Sequence, residues 1–162
     1  VNPLHPHPRK IHLVQGEQRI DDDPRTVFTT ILGSCIAACI WDAEIGLGGM
    51  NHFLLPGEGA EPMRFGIHAM EHLVNALLRR GAAPARLQAK LFGGARMIRG
   101  LTDIGELNAQ FAQRFLADIG IPLAGGSLGG SQGRRLQFWP ATGRARQALL
   151  ANPRILVKEF EI

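Results

Sequence analysis

Apolar positions recur along this chain with two periods. In "MRFGIHAMEHLVNALLRRG", Met70, Leu73, Val74, Leu77 and Leu78 fall at i, i+3, i+4, i+7 and i+8, the spacing of one helix face. Arg79 and Arg80 suit the negative end of that helix, and Gly81 suits the position just past it. A second stripe, Ile104, Leu107, Phe111, Phe115 and Ile119, predicts a helix over Asp103 to Ile119 that Gly120 and Pro122 stop. Elsewhere, short β-branched or alternating runs predict strands: "KIHLV", "RTVFTTIL", "CIAACIW", "GGMNHFLL", "RLQAKLF", "RRLQFW", "RARQALL" and "RILVKEF". "DDDP" and "PATG" read as turns, "DAEIG" as a hairpin loop and "GGSLGGSQG" as a mobile loop. Many strands with two separated helices predict an α+β layered domain. With no internal repeat and no low-complexity segment, residues 10–162 read as one domain behind a loose Pro/His arm at residues 1–9.

Composition narrows the picture. A chain of 162 residues with 45% hydrophobic content can build a core without disulfides or metals. Its net charge of +4 comes from 15 arginines and 3 lysines scattered along the sequence, with none of the clustering that nucleic-acid binding needs. The start lacks an apolar signal core, and no apolar run approaches the ~18 residues of a membrane span. The expectation is a soluble, cytoplasmic protein that does not insert into membranes. Cys35 and Cys39 lie four residues apart. On a strand that separates their Cα atoms by roughly 13 Å, beyond the ~7 Å reach of a disulfide, so both read as reduced thiols.

The chemistry concentrates in "TTILGSCIAACIWDAEIGLGGMNHFLLPG", residues 29–57. A cysteine amidohydrolase needs a thiolate, a proton-carrying base and donors for an oxyanion. Cys35 follows the flexible Gly33-Ser34 step, which can aim backbone N–H groups at a bound carbonyl. His52 lies on the next strand. If the hairpin pairs Asp42 with Ile45, Cys35 faces His52 with Cβ atoms roughly 4.5–5.5 Å apart, whereas a register one residue longer puts them on opposite faces. Thr29 could orient the imidazole. Gly48, Gly49 and Asn51, just before His52, read as the substrate's approach. Cys39, between Ala38 and Ile40, reads as an inert core thiol.

"TTILGSCIAACIWD", "GGMNHFLLPG", "KLFGGARM" and "GGSQGRRLQF…TG" together resemble, in order and spacing, the CheD family of chemoreceptor glutamine deamidases. The resemblance runs from about His12 to the end of the second hairpin. It implies Cys35 as nucleophile, His52 as base and Thr29, six residues before the cysteine, as third member. It also implies an α+β layered sandwich of mixed, largely antiparallel sheets with two main helices, similar to the catalytic domain of deamidating bacterial toxins. No cofactor is implied. The implied partners are the cytoplasmic helices of chemoreceptors and a CheC-like phosphatase, with the protein itself a monomer. This chain departs from the pattern at Ser127, where the family often carries an acidic residue, and at Glu106-Leu107.

Two other readings start from the residues. "HAMEH", His68 to His72, fits H-x-x-E-H, the inverted zinc-protease motif, but at 100° per residue both histidines point away from the stripe carrying Met70. The fold could also serve as a non-catalytic docking module, although the retained Cys35, His52 and Thr29 speak against that. Asp21 to Asp23 read as a solvated turn rather than a metal site.

Overall fold

The computed structural model describes residues 7–57, 61–97, 102–150 and 159–162. Their strands are β1 (Arg9–His12), β2 (Gln18–Asp21), β3 (Thr26–Leu32), β4 (Ile36–Asp42), β5 (Leu47–Asn51), β6 (Gln88–Gly93), β7 (Leu123–Leu128), β8 (Gly133–Trp139), β9 (Arg144–Leu150) and β10 (Glu159–Glu161). The helices are α1 (Pro62–Arg79) and α2 (Ile104–Ile119), with a short 3₁₀ turn at Pro84–Arg86. One sheet has the order β1-β3-β8-β9-β10 and the other β2-β5-β4-β6-β7. Only the β1–β3 and β6–β7 pairs are parallel, so the architecture is the expected layered α+β sandwich of mixed, largely antiparallel sheets.

Alternation along β4 explains the layering. Its odd residues, Ala37, Cys39 and Trp41, join Phe28, Leu32, Met50, Phe92, Leu136 and Phe138 in a core between the sheets. Its even residues, Ile36, Ala38 and Ile40, pack with Met70, Leu73, Leu77, Phe111 and Leu116 in a second core beneath the helices. A strand buried on both faces must be apolar throughout, and β4 is, up to its last residue. There Asp42, fully buried, receives Arg86 Nε at 3.0 Å and the Ala83 N–H at 3.0 Å, which secures the far end of the hairpin.

The helix α1 buries the predicted stripe: Met70, Leu73 and Leu77 are fully covered, and Val74 and Leu78 pack beside them. His68 and His72 face solvent and stack on each other with ring centroids 5.9 Å apart. No cluster of three His, Cys, Asp or Glu side chains able to hold a metal ion occurs among the described residues. No described helix is long and apolar enough to cross a membrane.

The second helix is rotated from its predicted face. Its buried residues are Gly105, Asn108, Ala109, Phe111, Ala112, Phe115 and Leu116, while Ile104, Leu107 and Ile119 are about half exposed. Small residues decide the matter. A Cβ on Gly105 would lie 2.3 Å from the Ala95 carbonyl, so the helix can settle against the β6–α2 connection only on its Gly/Ala/Asn side.

Two further expectations need correction, and a third lies mostly outside the described residues. Arg9 belongs to β1, so it is not part of a loose arm. Part of "GGSLGGSQG" is strand β7, paired in parallel with β6. Its following turn is gripped by Arg134, which is buried and donates to the Ser127 carbonyl (2.6 Å), the Ser127 hydroxyl (2.9 Å) and the Gly129 carbonyl. Most of "RILVKEF" lies outside the described residues, with only its end entering β10.

The rotation of α2 sets a contrast measurable by urea unfolding. Leu116→Ala is expected to destabilise by about 2–5 kcal/mol, whereas Leu107→Ala should shift stability by less than about 0.5 kcal/mol. Equal losses would restore the predicted stripe.

Candidate active site

The chain leaves the first sheet at Leu32 and enters the second at Ile36, and Cys35 sits on the three-residue crossing between them. Each carbonyl of that crossing is held from the same side. Gly33 O accepts from Ala95 N (3.0 Å) and Cys35 O from Gly94 N (2.9 Å). Ser34 O accepts from Asn108 Nδ2 (2.8 Å). In a trans peptide the N–H points opposite the preceding carbonyl, so the Ser34 and Cys35 N–H groups face away from the α2 side. The Cys35 N–H reaches its own sulfur and favours the thiolate, but burial outweighs it and pushes the thiol above its ordinary value.

This anchoring needs close backbone approach. A Cβ on Gly93, at φ +109°, would lie 2.0 Å from the Cys35 carbonyl. That position in "KLFGGARM" must therefore be glycine.

The observed hairpin pairs Asp42 with Leu47 and Cys39 with Met50, and a bridge joins Ile36 to Phe53. This is two residues from the expected register. Because side chains alternate with period two, such a shift keeps Cys35 and His52 on one face, the face toward the first sheet. It makes them diagonal neighbours, with Cβ atoms roughly 7 Å apart by strand geometry. The expected direct thiol–imidazole hydrogen bond does not form among the described residues. Cys35 Sγ instead donates to Gln15 Oε1 at 3.5 Å.

His52 is buried and oriented by Thr30, not by Thr29. The Thr30 hydroxyl lies 2.8 Å from His52 Nδ1 and donates its one proton to the Leu13 carbonyl at 2.7 Å. The hydroxyl oxygen must then accept from the ring, which assigns the hydrogen to Nδ1 and leaves the Nε2 lone pair free. Burial outweighs the ring's own bond to the Leu13 carbonyl and pulls the imidazole below its ordinary value, so it is neutral at neutral pH. Thr29 is on the opposite face of β3 and bonds His12 Nδ1 at 3.0 Å. Adjacent residues of a strand cannot share a face, so only one of the two threonines can reach His52.

Ser34 and Gly33 stand where the sequence puts them, beside Cys35. The other expected approach residues do not line the site. A Cβ on Gly48 would meet the Pro140 carbonyl at 2.2 Å, and one on Gly49 would meet Ile20 and Leu73 at 2.6–2.7 Å, so both are packing glycines. Asn51 points to the helical side, where its Oδ1 accepts from Ala38 N at 2.9 Å and its Nδ2 contacts Met70 Sδ at 3.5 Å.

Sequence reasoning missed Asn108. It is fully buried, accepting from Leu55 N (3.1 Å) while donating to Ser34 O, and so ties α2 to both ends of the site. Its signal was a polar residue placed among Gly105, Ala109 and Ala112, the small face of the helix.

These assignments predict an NMR outcome. In the wild type, imidazole ¹⁵N shifts should report His52 protonated on Nδ1. Thr30→Val should change the Nδ1 shift of the ring by removing its hydroxyl partner, and Thr29→Val should leave it unchanged. The reverse pattern would return the orienting role to Thr29.

Comparison with known proteins gives the lineage. A family model described as CheD chemotactic sensory transduction matches residues 54–148, a span that begins just after His52. A protein of Acidiphilium cryptum named a probable chemoreceptor glutamine deamidase CheD is 60% identical over 95% of this chain and 86% of its own length. One of the same name from Caulobacter vibrioides is 55% identical over 88% of this chain and 79% of its own. Another from Sinorhizobium medicae is 53% identical over 89% and 82%. Among solved structures, the hypothetical protein YfiH of Bacillus licheniformis overlaps 68% of this chain and 49% of its own with a TM-score of 0.47 at 17% identity. The identities over nearly the whole chain, together with the family match, mean that the chain belongs to the CheD family.

Proposed function

We propose that this protein is a cysteine-dependent protein-glutamine deamidase that converts glutamines on the cytoplasmic helices of methyl-accepting chemotaxis receptors to glutamate and ammonia. The observation that carries the reading is the placement of Cys35 and the free Nε2 of His52 on one face, beside the outward peptide N–H groups of Ser34 and Cys35. The names of the relatives agree with it.

The resting groups are both neutral, because burial raises the thiol and lowers the imidazole. Catalysis then begins with proton transfer rather than from a preformed ion pair. Cys35 turns from Gln15 toward His52, and Nε2 takes its proton as sulfur adds to the carboxamide carbon. The Ser34 and Cys35 N–H groups hold the oxyanion. The imidazolium, kept in orientation by Thr30, passes its proton to the departing ammonia and leaves a thioester. Water, deprotonated by the same Nε2, adds to the thioester, and collapse returns the thiol and releases glutamate. Each turnover puts one negative charge on the receptor helix.

The helical layer also carries an apolar groove, on the anchored side of the crossing and away from its outward N–H groups. Leu55, Met63, Ile104, Leu107 and Phe111 line a groove of about 680 Å³ where α1 and α2 begin. Asn108 lies in that groove while bonding Ser34 O. The half-exposed Met63, Ile104 and Leu107 suit the apolar stripe of an amphipathic helix.

The test is ammonia release from a purified receptor cytoplasmic fragment. Cys35→Ala is expected to abolish release, while Cys39→Ala, which alters only the inter-sheet core, retains it. The rate should rise with pH above neutrality, since the thiol stays protonated past its ordinary range, and should fall as acid protonates His52. The same ring gives a stability term that is fully present above its unfolded value, about 6.5, and is lost as the pH falls. Full release by Cys35→Ala would refute the proposal.

A further inference from the structure

Gln15 takes no part in the chemistry above, yet it is the hydrogen-bond partner of the nucleophile. The turn that carries it is built into the site. Glu17 N donates to Val14 O at 3.1 Å, and Gly16, in the third position of that turn, has φ +91°, which fits a type II turn with Gln15 in the second position. Gly16 N donates to His52 O (2.8 Å) and His52 N to Glu17 O (3.1 Å). Glu17 Oε1 is occupied by Val14 N at 2.8 Å. On the other side, Leu13 N donates to Thr29 O (2.8 Å), and Leu13 O accepts from Thr30. The turn is therefore fastened to β3 and to His52, and it holds an otherwise exposed glutamine against Cys35.

We propose that Gln15 is a built-in occupant of the substrate's place: its side-chain carboxamide sits at the nucleophile and caps the thiol until an incoming glutamine displaces it. The inference rests on the deamidase reading, because what sits at the sulfur is the functional group that the enzyme would attack. A carbonyl oxygen accepts from S–H but repels S⁻, so the contact favours the un-ionised thiol. It also competes with proton transfer, since sulfur bonded to Gln15 is not bonded to Nε2, and the diagonal register already separates the two partners. The cap thus withholds nucleophilicity until a carboxamide arrives. No covalent step is involved, and Gln15 is displaced rather than consumed.

The experiment is alkylation of Cys35 in the full chain by iodoacetamide at fixed neutral pH, followed by peptide mass spectrometry with Cys39 as an internal control for unfolding. Gln15→Ala is expected to speed Cys35 labelling roughly fivefold, the size of one hydrogen bond. Gln15→Glu, the same shape with an anion, is expected to slow it below wild type. In both variants Cys39 should stay unlabelled. Loss of the cap should also lower the KM for the receptor fragment in Gln15→Ala without lowering kcat. Unchanged or slower labelling in Gln15→Ala, or equal acceleration in both variants, would overturn the inference, because mere loosening of the turn moves both the same way. The two readings fail separately. Wild-type protein that releases no ammonia, with the labelling order intact, defeats the deamidase; released ammonia with no change in Gln15→Ala defeats the cap.

Discussion

The site depends on how three consecutive carbonyls are held where the chain changes sheets. Gly33, Ser34 and Cys35 leave the first sheet and enter the second, and Ala95 N, Asn108 Nδ2 and Gly94 N take their oxygens. Anchoring one side of each peptide turns the opposite side, with its N–H groups, outward. Gly93, at the end of β6, is required by this contact, since a side chain there would enter the Cys35 carbonyl. The small face of α2 serves the same contact by letting Asn108 reach Ser34. Packing of the helical layer is thus tied directly to the direction of the donors at the thiol.

The same geometry sets the electrostatics. Cys35 and His52 lie at the margin of the core between the sheets, where burial favours the neutral form of each. A thiol that is raised and an imidazole that is lowered do not form an ion pair at rest. On the deamidase reading proposed above, reactivity is created on binding, and the contact of Cys35 with Gln15 fits a site that stays quiet until occupied. The Thr30 hydroxyl fixes the one feature that has to be ready beforehand, a ring with its lone pair on Nε2.

Much of this was legible in the sequence, and the losses have specific causes. The stripe of α1 was readable because its large apolar residues alone define the buried face. That of α2 was misread because the contact is made by Gly105, Ala109 and Ala112, whose importance is closeness rather than hydrophobicity. Strand β7 was hidden by its glycines, and its turn is ordered by Arg134, a residue from the next strand. At the site, Cys35 and His52 keep to one face despite a register error of two residues because side-chain direction repeats with that period, but they stand diagonally and the expected bond between them is replaced by one from Cys35 to Gln15. Thr29 did not survive, since a one-residue difference reverses the face, and no sequence rule distinguishes two adjacent threonines. Gly48, Gly49 and Asn51 were read as lining a substrate path, whereas they solve packing and hydrogen-bonding problems inside the sandwich.

The central claim is that Cys35 forms a covalent bond to the substrate's carboxamide carbon, and trapping that bond tests it most directly. Wild-type protein mixed with a glutamine-bearing receptor fragment and quenched in acid within one turnover should yield, on peptide mass spectrometry, a thioester between a receptor glutamine residue and Cys35. The adduct should carry the loss of one ammonia and should be cleaved by hydroxylamine. Steady ammonia release with no adduct at Cys35, or an adduct on Cys39, would contradict the account.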